Sequence, residues 1–326
     1  MCIRDRLLDS ENKLNNEYSW NHSFVSIWGS HHDPNDGILW DISPNNIGNL
    51  NTDYKDLTVS SLKTKFKPIK GGDRSNGYKI NPYTKKPYTK QIVPRGDYTR
   101  VIAEFWADGP DSETPPGHWF TILNYVSYHQ LFERRFEGIN EIIDPLEWDV
   151  KAYFLLGGAM HDSAIAAWGL KGYYDYIRPI SAIRFMSSKG QSSDPKLPGY
   201  NPFGIKLVDN LIELVKKGDP LSGSNGENIG KIKVYSWRGH NFINDPKKDY
   251  AGVGWILAEN WFPYQRPTFV TPNFSGYVSG HSTYSRAAAE VLTLLTGNAF
   301  FPGGMGEFIA KKNKFLVFEK GPTQDI

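Results

Sequence analysis

The fold of this chain is decided by the stretch PLEWDVKAYFLLGGAMHDSAIAAWGLKGYYDYIRP, residues 145–179. Its first part, Pro145 to Gly169, is rich in alanine, leucine and aromatic residues, and it begins with a proline, which is favoured in a first helical turn. The small residues Gly157, Gly158 and Ala159 at its centre would let a second helix approach closely. The stretch therefore predicts a long helix inside a packed core.

Apolar residues at helical spacing recur on both sides of this stretch. They predict further helices at Thr99–Ala107, His118–Phe136, Phe203–Lys217, Tyr250–Phe262 and Gly280–Thr296. Gly297 follows the last of them at the position where glycine commonly ends a helix.

The N-terminal part of the chain has a different character, with many Asn, Asp, Lys, Pro and Tyr residues and little apolar periodicity. Residues 1–95 are therefore expected to form an irregular region, and residues 96–326 a helical domain. The predicted fold class is all-α, a helical bundle with an irregular N-terminal region packed outside it.

The composition excludes several classes of protein. The chain has 37 basic and 35 acidic residues, so its formal net charge of +2 indicates no nucleic-acid partner. Its one cysteine, Cys2, excludes a disulfide framework and a multi-cysteine metal site. The longest apolar run, Ala152–Met160, is interrupted by glycines and is far shorter than the ~18 residues of a membrane span.

Neither end of the sequence has the character of a natural terminus. Met1–Arg6 is interpreted as a remnant of sequence assembly, and the chain stops at Ile326 without a helix stop signal. The hypothesis is that the chain is a fragment, truncated at its C-terminal side.

The first motif with chemical content is Lys171-Gly-Tyr-Tyr-Asp-Tyr-Ile-Arg178-Pro179. A spacing of seven residues is two turns of a helix, so both cations are expected on one side of it. A compact ammonium and a planar guanidinium aimed at one point suit a tetrahedral oxyanion, and Pro179 would fix the guanidinium by ending or bending the helix. The alternative is a solvated basic helix face.

The second motif is Ser279-Gly280-His281, which directly precedes a long alanine-rich helix. Free backbone N–H groups and the helix dipole make such an amino end an anion site. Gly280 allows close approach, and His281 adds a proton donor or acceptor near neutral pH. The alternative is an ordinary N-cap serine followed by an incidental histidine.

Together the two motifs resemble the first two motifs of the superfamily shared by vanadium-dependent haloperoxidases and type 2 phosphatidic acid phosphatases (PAP2), which includes bacterial acid phosphatases. The superfamily pattern is Lys, six residues, Arg-Pro, then Pro-Ser-Gly-His, and the chain departs from it at Val278, where the pattern has proline. The similarity extends from Trp106 to Gly304 and favours the haloperoxidase-type bacterial branch.

The resemblance implies roles for these residues. Lys171, Arg178, Ser279 and the Gly280 amide would bind vanadate as the cofactor. His281 and Lys171 would be catalytic, His281 by moving protons and Lys171 by polarising bound peroxide. Trp168 and Phe274 stand where chloroperoxidases of the family have the aromatic residues of a halide pocket. The alternative for these two is that they are ordinary core aromatics.

The third motif of the superfamily, Ser-Arg followed after five residues by His, is not found. No histidine follows His281, and Leu292 stands where Ser285-Arg286 would require one. By the resemblance, that histidine binds vanadium in haloperoxidases and is the nucleophile in phosphatases. This chain is therefore predicted to contain no metal ligand, the expected histidine lying beyond Ile326.

The sequence thus predicts a vanadium-dependent haloperoxidase, a peroxidase-class oxidoreductase that oxidises halide with hydrogen peroxide. One alternative is a PAP2-type acid phosphatase that hydrolyses phosphomonoesters, since one oxyanion site can serve both reactions. Another is a non-catalytic oxyanion-binding relative. Relatives in the superfamily are often exported to the periplasm or secreted, but the sequence does not indicate the compartment of this protein. The sequence does not indicate the preferred halide, the organic acceptor or the oligomeric state.

Overall fold

The computed structural model of the chain describes residues 16–46, 77–107, 113–269, 271–314 and 319–326. The α-helices in these ranges are α1 (Asn16–Trp28), α2 (Arg95–Phe105), α3 (Pro115–Ser127), α4 (Pro145–Tyr174), α5 (Pro179–Ser188) and α6 (Gly280–Thr296). The strands are β1 (Leu39–Asp41), β2 (Ile92–Pro94), β3 (Ile212–Leu214), β4 (Ile232–Trp237) and β5 (Val253–Leu257). Single 3-10 turns occur at Gly29–His31, Phe136–Gly138, His240–Phe242, Ala258–Asn260 and Pro302–Gly304.

The largest helical core is formed by α3, α4 and α6. Leu123, Trp148 and Leu156 are fully buried in it and pack with Tyr284 and Leu292 of α6. The indole N–H of Trp148 donates to the Ser127 hydroxyl over 2.9 Å, which satisfies its buried polar atom. The long helix predicted from Pro145 is therefore confirmed, and it runs five residues further than expected, to Tyr174.

Helix α6 has the bounds that the sequence predicts. The Ser279 hydroxyl accepts a hydrogen bond from the Ser282 amide as the N-cap, and Gly297 ends the helix in the left-handed region at φ 68°. Helix α3 begins at Pro115, three residues before the predicted start, because Thr114 caps it and prolines are tolerated in a first turn. It ends at Ser127, well before the predicted Phe136.

The all-α prediction is wrong, because the described part of the chain contains two small antiparallel sheets. Strands β1 and β2 pair Trp40 with Val93, and strands β3, β4 and β5 form a three-stranded sheet in that order. In the latter, Val234 pairs with Ile212 on one side and with Ile256 on the other. These three residues form a second core together with residues of α1 and α5.

The sheet replaces the two helices predicted at Phe203–Lys217 and Tyr250–Phe262. In the first segment Asn210 takes a positive φ of 63°, which reverses the chain so that Val208 pairs with Ile212. In the second segment Gly252 has φ 65°, and β-branched and aromatic residues follow it, which favour an extended strand beside β4.

The N-terminal region contributes α1, β1 and β2 among its described residues. Helix α1 packs against the second core, where the Ser26 carbonyl accepts a hydrogen bond of 3.2 Å from the Ser236 hydroxyl. Residues 1–15 and 47–76 lie outside the described ranges, and with them the interpretations made of Cys2 and Met1–Arg6. No helix in the described ranges is both long and apolar enough to cross a bilayer.

A buried ionic cluster fixes α2 against the last residues of the chain. The Arg100 guanidinium, which is fully buried, contacts Asp97 at 2.7 Å and Glu319 at 2.9 Å. The second oxygen of Glu319 accepts hydrogen bonds from the Trp237 indole N–H and the Ala251 amide. Because the buried charges are paired and hydrogen-bonded, the cluster can determine where α2 lies relative to the sheet.

Candidate oxyanion site

A cavity of about 310 Å³ lies between the C-terminal ends of α2 and α4, the segment before α6 and the amino end of α6. All seven residues singled out in the sequence line it: Trp168, Lys171, Arg178, Phe274, Ser279, Gly280 and His281. Residues from both motifs, about a hundred positions apart in the chain, therefore meet at one cavity.

The elements that carry the two cations differ from those predicted. Lys171 and Arg178 do not share a helix, because α4 ends at Tyr174 and Asp175 adopts a left-handed conformation with φ 42°. Arg178 instead has an extended backbone and stands directly before α5, which begins at Pro179. Pro179 therefore neither ends nor bends the helix that carries Lys171, as was predicted, but starts the next helix directly after Arg178.

Two adjacent backbone carbonyls hold the cations. The Lys171 Nζ donates to the Ser275 carbonyl over 2.7 Å, and the Arg178 Nε donates to the Phe274 carbonyl over 2.7 Å. An ammonium has three N–H donors and a guanidinium five, so each group retains further donors beyond these bonds.

The cations are costly to bury at this position. Lys171 is only 4% exposed, and its burial, followed by repulsion from Arg178, lowers the pKa of its ammonium below the usual value of 10.5. Burial also lowers the pKa of Arg178. An anion in the cavity would compensate both charges.

Ser275 is a residue that the sequence did not single out. Its buried hydroxyl accepts hydrogen bonds from the Tyr176 amide over 2.9 Å and the Tyr277 amide over 3.3 Å, and it lies 2.9 Å from the Tyr277 carbonyl. It thereby joins the segment after α4 to the segment before α6. No local pattern signals this contact, because the two segments come together only in the tertiary fold.

The amino end of α6 forms another wall of the cavity. Ser279 does serve as the N-cap, as the alternative interpretation held, since its hydroxyl accepts from the Ser282 amide over 3.2 Å. Gly280 lies against the indole of Trp168, and a Cβ atom at this position would stand 3.1 Å from the ring. A side chain at this position would therefore move the Trp168 ring away from α6 by a few tenths of an ångström.

His281 contacts the C-terminal end of α2. Its Nε2 lies 2.7 Å from the Trp106 carbonyl oxygen, which can only accept a hydrogen bond. Nε2 therefore carries the hydrogen, and in the neutral ring Nδ1 is the acceptor. Sequence reasoning did not identify Trp106 as a partner, since the contact involves a backbone atom 175 residues away.

Two aromatic rings cover the cations on one side. The ring centroids of Trp168 and Phe274 are 5.3 Å apart, and the Lys171 Nζ lies 5.7 Å and 5.2 Å from them, respectively. The Arg178 guanidinium lies 4.8 Å from the centre of the Phe274 ring. Trp168 is 41% exposed, so it is a cavity wall and not an ordinary core residue.

The cavity lining also contains residues that the sequence did not indicate. They include Glu104 of α2 and Arg266, whose side chains are 3.4 Å apart, together with Tyr264 and Gln265. The segment 264–266 follows a strand that was predicted as a helix, so its position could not be foreseen.

Three further titratable side chains lie outside the cavity lining. Asp162 and His161 are largely exposed on α4, with His161 Nδ1 3.5 Å from Asp162 Oδ1. Neither residue lines the cavity. His240 does not line the cavity, and its Nε2 lies 2.6 Å from the carbonyl oxygen of Gln265, which does. Among the described residues no group of three or more His, Cys, Asp and Glu side chains could hold a metal ion.

Gly280→Ala is expected to lower both the free energy of unfolding, by about 1–3 kcal/mol, and the affinity of the cavity for anions, because the new methyl group would displace the Trp168 ring. The matched control is Gly158→Ala on α4, where no atom lies within 4 Å of the added Cβ. That change should stabilise the helix by about 0.5–1 kcal/mol. Urea unfolding and anion titration measure both effects, and equal behaviour of the two variants would contradict the role given to Gly280.

The family model described as the VCPO second helical-bundle domain matches residues 151–326, more than half of the chain. The chain therefore belongs to this family and is related to the vanadium haloperoxidase and PAP2-type proteins. No curated protein matches the chain, and no solved structure matches it.

Proposed function

We propose that the chain is a haloperoxidase of this family that binds vanadate and oxidises halide with hydrogen peroxide. The observation that carries the proposal is the pair of cations, the buried Lys171 and the partly buried Arg178, beside the amino end of α6 in one cavity. The family match is consistent with this reading.

The residues at the cavity fit a tetraoxo anion. After its bond to Ser275, Lys171 retains two N–H donors, and after its bond to Phe274, Arg178 retains four. The Gly280 amide stands at the start of a 17-residue helix, where the free N–H groups and the dipole favour negative charge. Lys171, Arg178, Ser279 and Gly280 are therefore the residues that would bind vanadate.

Vanadate bound here would supply Lewis-acid activation of hydrogen peroxide without changing its oxidation state. The ammonium of Lys171 would stabilise the negative charge that develops on the peroxide oxygens, because burial keeps water away from that charge. The overall reaction converts peroxide, halide and one proton into hypohalous acid and water, with cleavage of the O–O bond.

His281 is proposed to move the protons. The Trp106 carbonyl holds Nε2–H, so Nδ1 can accept a proton from incoming peroxide and return it to the departing water oxygen. A halide would be stabilised near Lys171 and Arg178, while the rings of Trp168 and Phe274 exclude water from that side.

The deciding experiment titrates vanadate into a clone that includes the expected third-motif histidine, and measures bromide and chloride oxidation by hydrogen peroxide. Hydrolysis of a phosphomonoester is measured in parallel. Oxidation that saturates with vanadate supports the proposal. Oxidation that is independent of vanadate contradicts it, and hydrolysis without oxidation would assign the cavity to phosphate chemistry instead.

Anion affinity should also fall as the pH rises. An anion favours protonated Lys171, so binding is strongest below the pKa of this ammonium and weakens by about tenfold per pH unit above it. Because burial and Arg178 lower that pKa, the fall should begin below the usual lysine value of 10.5. Calorimetry at a series of pH values measures this loss of affinity. Tungstate is the probe, because it is a dianion whose charge stays constant from neutral to alkaline pH. A flat profile in the wild-type chain, or the same fall in Lys171→Met, would contradict the assignment.

A further inference from the structure

Ser275 stands next to the candidate oxyanion site without being part of its lining. Its neighbours Phe274 and Gly276 both line the cavity, whereas Ser275 is only 5% exposed and does not line it. Its hydroxyl therefore does not contact an anion in the cavity. Any effect that Ser275 has on such an anion must pass through the residues that it holds.

Both polar groups of Ser275 hold an element that carries a cation. Its carbonyl oxygen accepts a hydrogen bond from the Lys171 Nζ over 2.7 Å. Its hydroxyl accepts one from the amide of Tyr176, two residues before Arg178, over 2.9 Å. The Arg178 Nε in turn donates to the carbonyl of Phe274, the residue before Ser275. Ser275 is thus connected to both cations, although they stand at the ends of two different helices.

The position of Arg178 depends on this contact, because residues 175–178 lie between α4 and α5 and belong to neither helix. Tyr176 is held at both its amide and its carbonyl, since its carbonyl accepts from the Gly276 amide over 3.3 Å. The Ser275 hydroxyl also shapes the segment before α6. It accepts from the Tyr277 amide over 3.3 Å and donates to the Tyr277 carbonyl over 2.9 Å. One hydroxyl thereby fixes the two segments relative to each other.

The two cations need such a support, because their like charges repel each other. Cations that are held in place before an anion arrives do not have to be brought together on binding, and this preorganisation raises the affinity. We infer that Ser275 is a positioning residue of the oxyanion site, an assignment that rests on the anion binding proposed above. Its carbonyl fixes the Lys171 ammonium, and its hydroxyl fixes the segment that carries the Arg178 guanidinium.

The test replaces Ser275 by alanine in the clone that includes the third-motif histidine. Tungstate binding is measured by calorimetry in the absence of vanadate, peroxide and halide. Alanine keeps the backbone carbonyl but removes the acceptor of the Tyr176 and Tyr277 amides, so both cations are held less firmly. The tungstate affinity should fall about tenfold. Wild-type affinity in Ser275→Ala would overturn the inference.

Ser127→Ala is the matched control for the loss of a buried hydroxyl. The Ser127 hydroxyl accepts a hydrogen bond from the Trp148 indole N–H, and Ser127 is buried and does not line the cavity. Both alanine variants should be destabilised to a similar extent in urea, but Ser127→Ala should bind tungstate as the wild type does. An equal loss of affinity in Ser127→Ala would overturn the assignment.

Two further variants show whether Ser275 acts through its hydroxyl and through the cations. Ser275→Thr keeps the hydroxyl and should bind tungstate within about threefold of the wild type. In a Lys171→Met background the ammonium is gone, so Ser275→Ala should weaken binding by less than about threefold. A threonine variant as weak as Ser275→Ala, or an undiminished effect in the Lys171→Met background, would overturn the assignment.

The failure of this inference can be told apart from failure of the proposed function. Vanadate-dependent bromide oxidation in the wild type, with unchanged tungstate affinity in Ser275→Ala, would remove only the role of Ser275. A loss of tungstate affinity in Ser275→Ala, with no halide oxidation by the wild type, would keep Ser275 as a positioning residue and remove the haloperoxidase function. A wild-type protein that binds no tungstate would overturn both.

Discussion

Replacing Lys171 by methionine is expected to weaken the binding of vanadate or tungstate by about two orders of magnitude. Methionine nearly preserves the length of the side chain but removes the charge and its N–H donors. A hydrogen bond to a charged group contributes about 1.5–3 kcal/mol, and Lys171 has two N–H donors to offer an anion. Titration calorimetry of each oxyanion against the folded variant measures the loss.

The control for this change lies on the same helix. Lys151 is half exposed and pairs with Glu147 one turn away, so Lys151→Met removes a lysine from α4 without touching the cavity. Its oxyanion affinity should equal that of the wild-type chain. If Lys171→Met binds as tightly as Lys151→Met while both give wild-type circular dichroism, the buried ammonium is not an anion ligand.

Replacing His281 by glutamine is expected to act on turnover and not on binding. General acid–base catalysis contributes about 10²–10⁴-fold to a rate, so kcat of the vanadate-dependent oxidation should fall within that range. The vanadate affinity should change little, because Lys171, Arg178 and the Gly280 amide are the proposed ligands. Steady-state kinetics together with vanadate titration separates the two effects.

His161→Gln provides the comparison for this variant. His161 lies on the exposed side of α4, and its substitution should alter neither kcat nor affinity. A His281 variant that loses affinity to the same extent as turnover would place the imidazole among the anion ligands. Full activity in that variant would exclude proton transfer by His281.

The sequence predicted those parts of the fold that depend on local signals. The N-cap at Ser279 and the left-handed Gly297 both act within one turn of α6, so the bounds of this helix were foreseen. The segments Phe203–Lys217 and Tyr250–Phe262 were wrongly predicted as helices, because their apolar residues fit a helical period. They form strands because Asn210 and Gly252 adopt a positive φ and because both segments pair with β4.

In the candidate site, too, the features that depend on local sequence were predicted and those that depend on long-range contacts were not. Both motifs were visible because each is contiguous, and the structure places their residues around one cavity. The prediction that Arg178 shares a helix with Lys171 was wrong, because α4 ends at Asp175 in a left-handed conformation. A glycine is the usual sequence signal for such a helix end, and none stands there. Ser275 and Trp106 were missed since their contacts join segments distant in sequence, and one of them uses only a backbone carbonyl.

The buried pairing of Arg100 with Glu319 links the last residues of the chain to the imidazole of His281. Helix α2 carries Arg100 in its middle, and Trp106, whose carbonyl orients His281, follows directly after its last residue. The Thr323 amide donates to Asp97, the other partner of Arg100. Opening of the terminal residues is therefore expected to loosen α2. An anion bound in the oxyanion cavity, beside His281, should then slow deuterium uptake at the Thr323 amide, although the anion does not contact Thr323.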